Sequence, residues 1–258
     1  MPNPAQQAAK ILVERRIYGV QSDRLPESCR PTDIDSALAI QQAVSEHWCS
    51  SQDDSIGAWK CSLPAADKIV IAPIYTRTID SIPPVAIWPK QQKARIEPEL
   101  AFFFGSDLPP RLDAYTPAEI DAAIVRTHLA LELINSRYAE PATCSFPEML
   151  ADGLVNQGLF IGPEIDAEQA RIASEFAITL ECANGESSVY AGRHPNIYPR
   201  APLYWLVEFL RQQGQGIIAG QAVITGSFAG VIEVPLNTQI AIHYAELGTL
   251  QLSFTAKS

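Results

Sequence analysis

Ile96-Glu97-Pro98-Glu99-Leu100-Ala101-Phe102-Phe103-Phe104 is the stretch around which the chain is organised. Its tail is apolar and aromatic, as a core strand should be, while its head carries two carboxylates two residues apart. Side chains at i and i+2 of a strand share a face, with Cα atoms about 6–7 Å apart. Glu97 and Glu99 therefore converge on one point, and Pro98 turns to the opposite face. Proline donates no ladder hydrogen bond, so this head is expected at a strand start or an exposed edge, where a ligand can enter. About thirty residues on, His128-Leu-Ala-Leu-Glu132-Leu-Ile-Asn-Ser-Arg137-Tyr138 repeats the pattern of an apolar segment interrupted by one carboxylate.

Three glutamates brought together on apolar strands repel. Two like charges about 4 Å apart cost on the order of 4 kcal/mol at an effective dielectric near 20. Without help, one of them has to take up a proton. A divalent cation removes the conflict, and an all-carboxylate set suits a hard ion, Mg²⁺ or Mn²⁺. The alternative is that Glu97 and Glu99 line the wet face of an edge strand and Glu132 is a separate surface residue.

At 258 residues the chain can bury a large core in one domain. Hydrophobic residues make up 47% and charged residues 19%, a globular composition. The formal charge of −10 argues against nucleic acid or an anionic membrane as partner. No apolar run reaches membrane-spanning length, and Met1-Pro-Asn-Pro-Ala-Gln-Gln holds no signal-peptide core. Five cysteines, Cys29, Cys49, Cys61, Cys144 and Cys182, form no CxxC pair and read as reduced thiols of a cytoplasmic protein.

Ala5–Ile17 reads as a helix, and a second should start at Thr32 or Asp33 with Ala37, Ile40, Val44 and Trp48 as its stripe. Ile56–Ser62 is strand-like and Ile69–Ile74 is a short buried run. Thr116-Pro117-Ala118-Glu119 has the form of a capping box with Pro at N1, which predicts a helix to about Thr127. Phe176–Cys182 alternates, Asn184-Gly185 fits a type I′ hairpin, and Ser188–Ala191 returns. Leu203–Gln213 is a helix that Gly214 can end. Gln221–Thr225, Gln239–Ala245 and Thr249–Thr255 alternate as strands. The sum is an α+β chain: a helical N-terminal section over residues 1–70, then a β-rich catalytic body over residues 71–258.

Gly214-Gln-Gly216-Ile-Ile-Ala-Gly220 is no dinucleotide loop, since its third glycine comes one residue late and it follows a helix. Gly226-Ser-Phe-Ala-Gly230 is not a nucleophile elbow, because its serine is one place early. His47, His128, His194 and His243 lack zinc-ligand spacing, and His194, beside Arg193 and Pro195, is the one to watch. Lys60 lies between Trp59 and Cys61 in an apolar strand, where a lysine either meets an anionic partner or snorkels to the surface. Thr225-Gly226-Ser227 ends an apolar strand; it offers N–H groups and hydroxyls to a carboxylate, or is an ordinary turn.

Together these segments resemble the fumarylacetoacetate hydrolase superfamily, in its branch of 2-oxopent-4-enoate (2-hydroxypentadienoate) hydratases and 4-oxalocrotonate decarboxylases. Gly57-Ala-Trp-Lys60-Cys-Ser-Leu-Pro resembles that family's G-x-K-x-G-L-T segment. Arg95-Ile-Glu97-Pro-Glu99-Leu-Ala with Asp107-Leu-Pro resembles R-x-E-x-E-x-A…D-L-P, and Ala130-Leu-Glu132-Leu-Ile-Asn-Ser-Arg137 resembles A-L-E-x-x-x-S-R. Ala219-Gly-Gln-Ala-Val-Ile-Thr225-Gly226 resembles the G-D-x-I-x-T-G strand, and Asp152-Gly-Leu-Val-Asn156-Gln-Gly158 matches D-N-A-S loosely, with one extra residue.

The resemblance implies a mixed β-roll of the kind in the family's C-terminal domain. It also implies a homo-oligomer acting on a small 2-oxo acid, and a complex with a pathway decarboxylase is a further expectation. Glu97, Glu99 and Glu132 become the Mg²⁺ or Mn²⁺ ligands and Lys60 an acid/base or polarising group. Arg137, Asn156, Thr225, Gly226 and Ser227 become candidates to bind substrate. Arg137, Arg193 and Arg200 are the arginines considered for clamping a distal carboxylate. With none convincing, the reading leans to a hydratase of a small 2-hydroxy-2,4-dienoate. A decarboxylase, an acylpyruvate hydrolase and a non-catalytic paralogue are the alternatives.

Overall fold

The computed structural model describes residues 3–257. Two helices open the chain, α1 (Pro4–Tyr18) and α2 (Ile34–Gln52). Asn3 and Asp33 cap them, each accepting the N–H three residues on, and Gly19 at φ 62° ends α1. Ala37, Ile40, Val44 and Trp48 are buried on α2 as its apolar stripe requires. Strands then take over: β1 (Ile56–Ala65), β2 (Lys68–Tyr75), β3 (Ile79–Asp80), β4 (Val85–Ile87) and β5 (Lys93–Phe104). The sheet therefore begins inside residues 1–70, at Ile56.

The middle of the chain mixes α3 (Pro117–Ala123), β6 (Ile124–Ile134), α4 (Phe146–Ala151), β7 (Asn156–Ile165), α5 (Ala167–Ile172), β8 (Glu175–Cys182), β9 (Ser187–Arg193) and α6 (Ala201–Gln212). It closes with β10 (Ala222–Ile224), β11 (Ile232–Pro235), β12 (Ile240–Tyr244), β13 (Thr249–Leu252) and β14 (Phe254–Ala256). Among the described residues no helix is long and apolar enough to cross a membrane.

An eight-stranded sheet runs β2-β1-β10-β5-β6-β7-β3, with β11 also beside β5. β1–β10 and β3–β7 are parallel pairs, whereas β5–β6 and β6–β7 are antiparallel, so the sheet is mixed. It curls around a small core of its own that includes Ala58, Ala101, Ala130, Leu159, Ala222 and Ile224. Alanines let the walls of that curl approach closely. A four-stranded sheet, β13-β12-β8-β9, and the helices cover the main core. The α+β roll expected from the sequence is the fold observed.

Four local expectations change. The capping box does open α3, but the helix stops at Ala123 and β6 begins at Ile124. Residues 124–127 are Ile-Val-Arg-Thr, and pairing of Ile124 with Phe104 and Thr127 with Phe102 overrides the helical signal. The β8–β9 hairpin is a three-residue loop, closed by Gly185 N–H to Cys182 O at 2.9 Å and Cys182 N–H to Glu186 O at 2.8 Å. Only Gly185 has positive φ there, as a turn followed by a glycine bulge needs and a type I′ turn does not. The strand expected over Thr249–Thr255 breaks at Ser253, so β13 pairs β12 while β14 pairs β4.

Pro98 lies in the interior of β5, not at a strand start. On one side it faces Leu131 of β6. On the other, β11 covers residues 93–96 and β10 covers 101–103, leaving a gap at 97–100. A missing N–H breaks no ladder bond at such a local edge.

Candidate metal centre

The antiparallel register of β5 and β6 puts Glu97 opposite Glu132 and Glu99 opposite Ala130. Period-2 alternation then aims all three carboxylates into the curl. Each offers an oxygen that lies within 4.8 Å of the others'. Lys60 arrives from β1, two strands away, where Ile224 of β10 pairs with both Lys60 and Ala101. Its Nζ donates to Glu132 Oε1 at 2.6 Å and Oε2 at 2.7 Å, and to the Leu154 carbonyl at 3.3 Å. Glu132 is 0% exposed, Glu99 2% and Lys60 8%. The anionic partner that a lysine in this strand requires is thus Glu132.

Burial, followed by the charge of Glu132, pushes the Glu97 carboxyl up to about 7, although Lys60 pulls it down. Burial and the charges of Glu132 and Glu97 hold Glu99 well above the usual carboxylate range. For Lys60, burial opposes the charge, but Glu132, Glu97 and Glu99 outweigh it and keep its pKa raised. Three carboxylates share a single ammonium, and one divalent cation matches the remainder. The donor set is all oxygen and preassembled, which fits Mg²⁺ or Mn²⁺.

The surrounding residues hold these groups in place. Asn156 Nδ2 donates to Glu132 Oε1 at 2.8 Å and to the Gly158 carbonyl at 3.2 Å. Gly153, Leu154 and Val155 just before it all have positive φ, at 76°, 52° and 62°. For a β-branched residue such as Val155 this backbone is strained. The turn brings the Leu154 carbonyl to Lys60 and Asn156 to Glu132, a role no motif in residues 152–158 had suggested.

Gly226 N–H donates to Glu99 Oε2 at 2.7 Å, reaching it through the gap beside β5. The N–H offered to a carboxylate at this turn is therefore taken by the protein's own Glu99. Gly226 has φ 130°, and a Cβ there would lie 2.7 Å from Pro195 Cγ, so the position requires glycine.

Among the described residues the other candidates make no hydrogen bond to the cluster. Thr225 is 1% exposed, and its Oγ1 meets His194 Nε2 at 3.3 Å. Ser227 Oγ donates to the Gly230 carbonyl at 3.2 Å, inside its own turn. Arg137, expected as a substrate clamp, is 2% exposed and committed to the protein. Its Nε donates to Asp152 Oδ1 at 2.6 Å, its Nη1 to the Asn135 and Asn156 carbonyls at 2.6 and 2.7 Å, and its Nη2 to the Asp152 carbonyl at 2.6 Å. A guanidinium buried without these partners would be costly, which keeps it in place. Arg193 is exposed and pairs with Glu175, and Arg200 pairs with Asp121 at 3.0 Å.

No protein-family model and no curated protein sequence matches the chain. Solved structures do. 4-Oxalocrotonate decarboxylase from Pseudomonas putida G7, complexed with magnesium and adipate, superposes with a TM-score of 0.77 at 16% identity, over 97% of each chain. The same protein complexed with calcium and acetate gives 0.76 at 16% identity and the same coverage. A putative fumarylacetoacetate hydrolase family protein from Yersinia pestis CO92 gives 0.53 at 18% identity, over 79% of this chain and 94% of that one. The chain has the fold of the fumarylacetoacetate hydrolase superfamily, shared over nearly its whole length with a decarboxylase of that fold.

Proposed function

We propose that the protein is a divalent-metal-dependent lyase that hydrates a small 2-hydroxy-2,4-dienoate, of the 2-oxopent-4-enoate type, to a 4-hydroxy-2-oxo acid. The observation that carries this reading is the clustered trio of half-buried Glu97 and buried Glu99 and Glu132 beside the Lys60 ammonium. Those three carboxylates would hold the Mg²⁺ or Mn²⁺. Bound there, the ion supplies Lewis acidity toward the C1 carboxylate and C2 oxygen of a 2-oxo acid.

Lys60, 8% exposed, keeps a proton at Nζ against Glu132. Hydration needs such a group. The dienol loses its hydroxyl proton as C5 gains one; water then gives its hydroxyl to C4 and a proton to C3. Asn156 and the Gly226 N–H orient Glu132 and Glu99 throughout. The commitment of Arg137, Arg193 and Arg200 to protein partners supports a substrate without a distal carboxylate.

Decarboxylation of a diacid is the second reading. It is favoured by the full-length likeness to a decarboxylase held with adipate, a six-carbon diacid. One assay separates them: Mg²⁺-loaded protein is given 2-hydroxypenta-2,4-dienoate and, separately, 2-oxohex-3-enedioate, following the ultraviolet band and CO₂. Loss of the diene with formation of a 4-hydroxy-2-oxo acid supports hydration. CO₂ released from the diacid without hydration of the diene overturns it.

A further inference from the structure

Behind the carboxylate cluster, α1 turns two consecutive arginines toward the sheet. Arg16 is only 8% exposed. Its Nη1 donates to the Asn156 carbonyl at 3.0 Å and its Nη2 to the Asp152 carbonyl at 3.1 Å. Its Nε–H is buried and has no partner among the described residues. Arg137 donates to the same Asn156 carbonyl, and Arg15 Nη1 reaches the Arg137 carbonyl at 3.3 Å. Arg15, Arg16, Arg137 and Lys257, with Asn135 and Gln157, line a cavity of about 20 Å³.

The charge around this cavity does not balance. Among the described residues, Arg137–Asp152 is the one ion pair that these four cations form. Asp80 offsets part of the charge of Lys257. Arg16 donates only to main-chain carbonyls. Burial and then the charge of Arg137 lower Arg16 to about 10, outweighing the opposite pull of Tyr75 and Asp152, and burial with the charge of Arg16 also lowers Lys257. A water molecule would take the Nε–H yet leave the surplus charge in place.

We propose that this cavity binds one small monovalent anion such as chloride, held by the unpartnered Arg16 Nε and by Lys257. Its volume is a little above the roughly 10–15 Å³ that a single water needs, so it has space for one small occupant. An anion here ties α1 to the start of β7. Asn156 accepts from Arg16 and Arg137 through its carbonyl while its Nδ2 holds Glu132, so the anion also positions a carboxylate of the metal centre. The site stands independently of which reaction the protein catalyses.

Thermal melts of the full chain in chloride and in gluconate, at matched ionic strength, test it. Chloride should raise Tm saturably over gluconate. Lys257→Met should need about tenfold more chloride for the same shift, having lost one charged contact. Crystals grown in bromide should show an anomalous peak beside Arg16 Nε. Equal Tm in the two salts, an unaltered chloride dependence in Lys257→Met, or only water in the cavity of the bromide crystals would each overturn the proposal.

Discussion

Removing the Lys60 ammonium would leave Glu132 wholly buried and without the one cation it pairs with among the described residues. Breaking a buried pair costs about 3–5 kcal/mol. Lys60→Met should therefore melt well below the parent in chelator, and Mn²⁺ should restore part of the loss by returning positive charge. Its kcat should fall by about 10²-fold or more. Melts with and without Mn²⁺, together with steady-state rates, check both; a variant that melts and turns over like the parent would reduce Lys60 to a packing residue. The three glutamates differ in what they owe to Lys60. Glu97 forms no ion pair among the described residues and has its pKa raised to about 7 by burial and by Glu132, so Glu97→Gln should keep or raise Tm in chelator while Mn²⁺ affinity falls by about tenfold or more. Glu132→Gln should lose both affinity and stability, because Lys60 is then the buried group left unpaired. Calorimetric titration of the two variants checks the contrast.

At the scale of elements, the gap between β10 and β11 is where the chain supports its own site. Gly226 crosses it with φ 130° and a close approach to Pro195. Gly226→Ala should cost about 1–3 kcal/mol, from the backbone strain, and should weaken Mn²⁺ binding because Glu99 loses its N–H partner. Urea unfolding and calorimetry on one preparation check the pair of effects. Just after β9, His194 packs beside the end of β10: Nδ1 accepts from Asn196 N–H at 3.2 Å, which places the proton on Nε2 toward Thr225 Oγ1. Burial lowers its pKa to about 4 from the ordinary 6.5. The unfolded chain thus takes the proton first. Its contribution is complete above about pH 6.5 and is lost as pH falls toward 4, by at most about 1.4 kcal/mol per pH unit. The difference in unfolding free energy between the parent and His194→Gln, measured from pH 7 to about pH 4.5, should shrink along that slope; a pH-independent difference would exclude a buried neutral histidine.

Over the whole molecule, a preassembled trio of carboxylates in a chain of net charge −10 should make folding responsive to divalent cations. An ion at 100 times its Kd adds about 2.7 kcal/mol by mass action, so Mg²⁺ or Mn²⁺ should raise Tm and chelator should lower it, with no shift in a Glu97→Gln, Glu99→Gln double variant. What can be read from sequence here is what depends on neighbours along the chain. The face shared by Glu97 and Glu99 follows from a two-residue period, and the caps at Asn3, Asp33 and Thr116 and the stop at Gly214 follow from local chemistry. The motifs around Lys60, Glu97 and Glu132 were enough to reach the superfamily fold. Which groups finally meet was decided only by tertiary structure. The β5–β6 register set Glu132 against Glu97, and the β1–β10 pairing delivered Lys60 to it. Pairing with β5 made a strand of Ile124–Thr127. Glu99 took the Gly226 N–H, and Asp152 and Asn156 took Arg137, because a buried charge is held by whatever partner the fold brings within about 3 Å, however far away it lies in sequence.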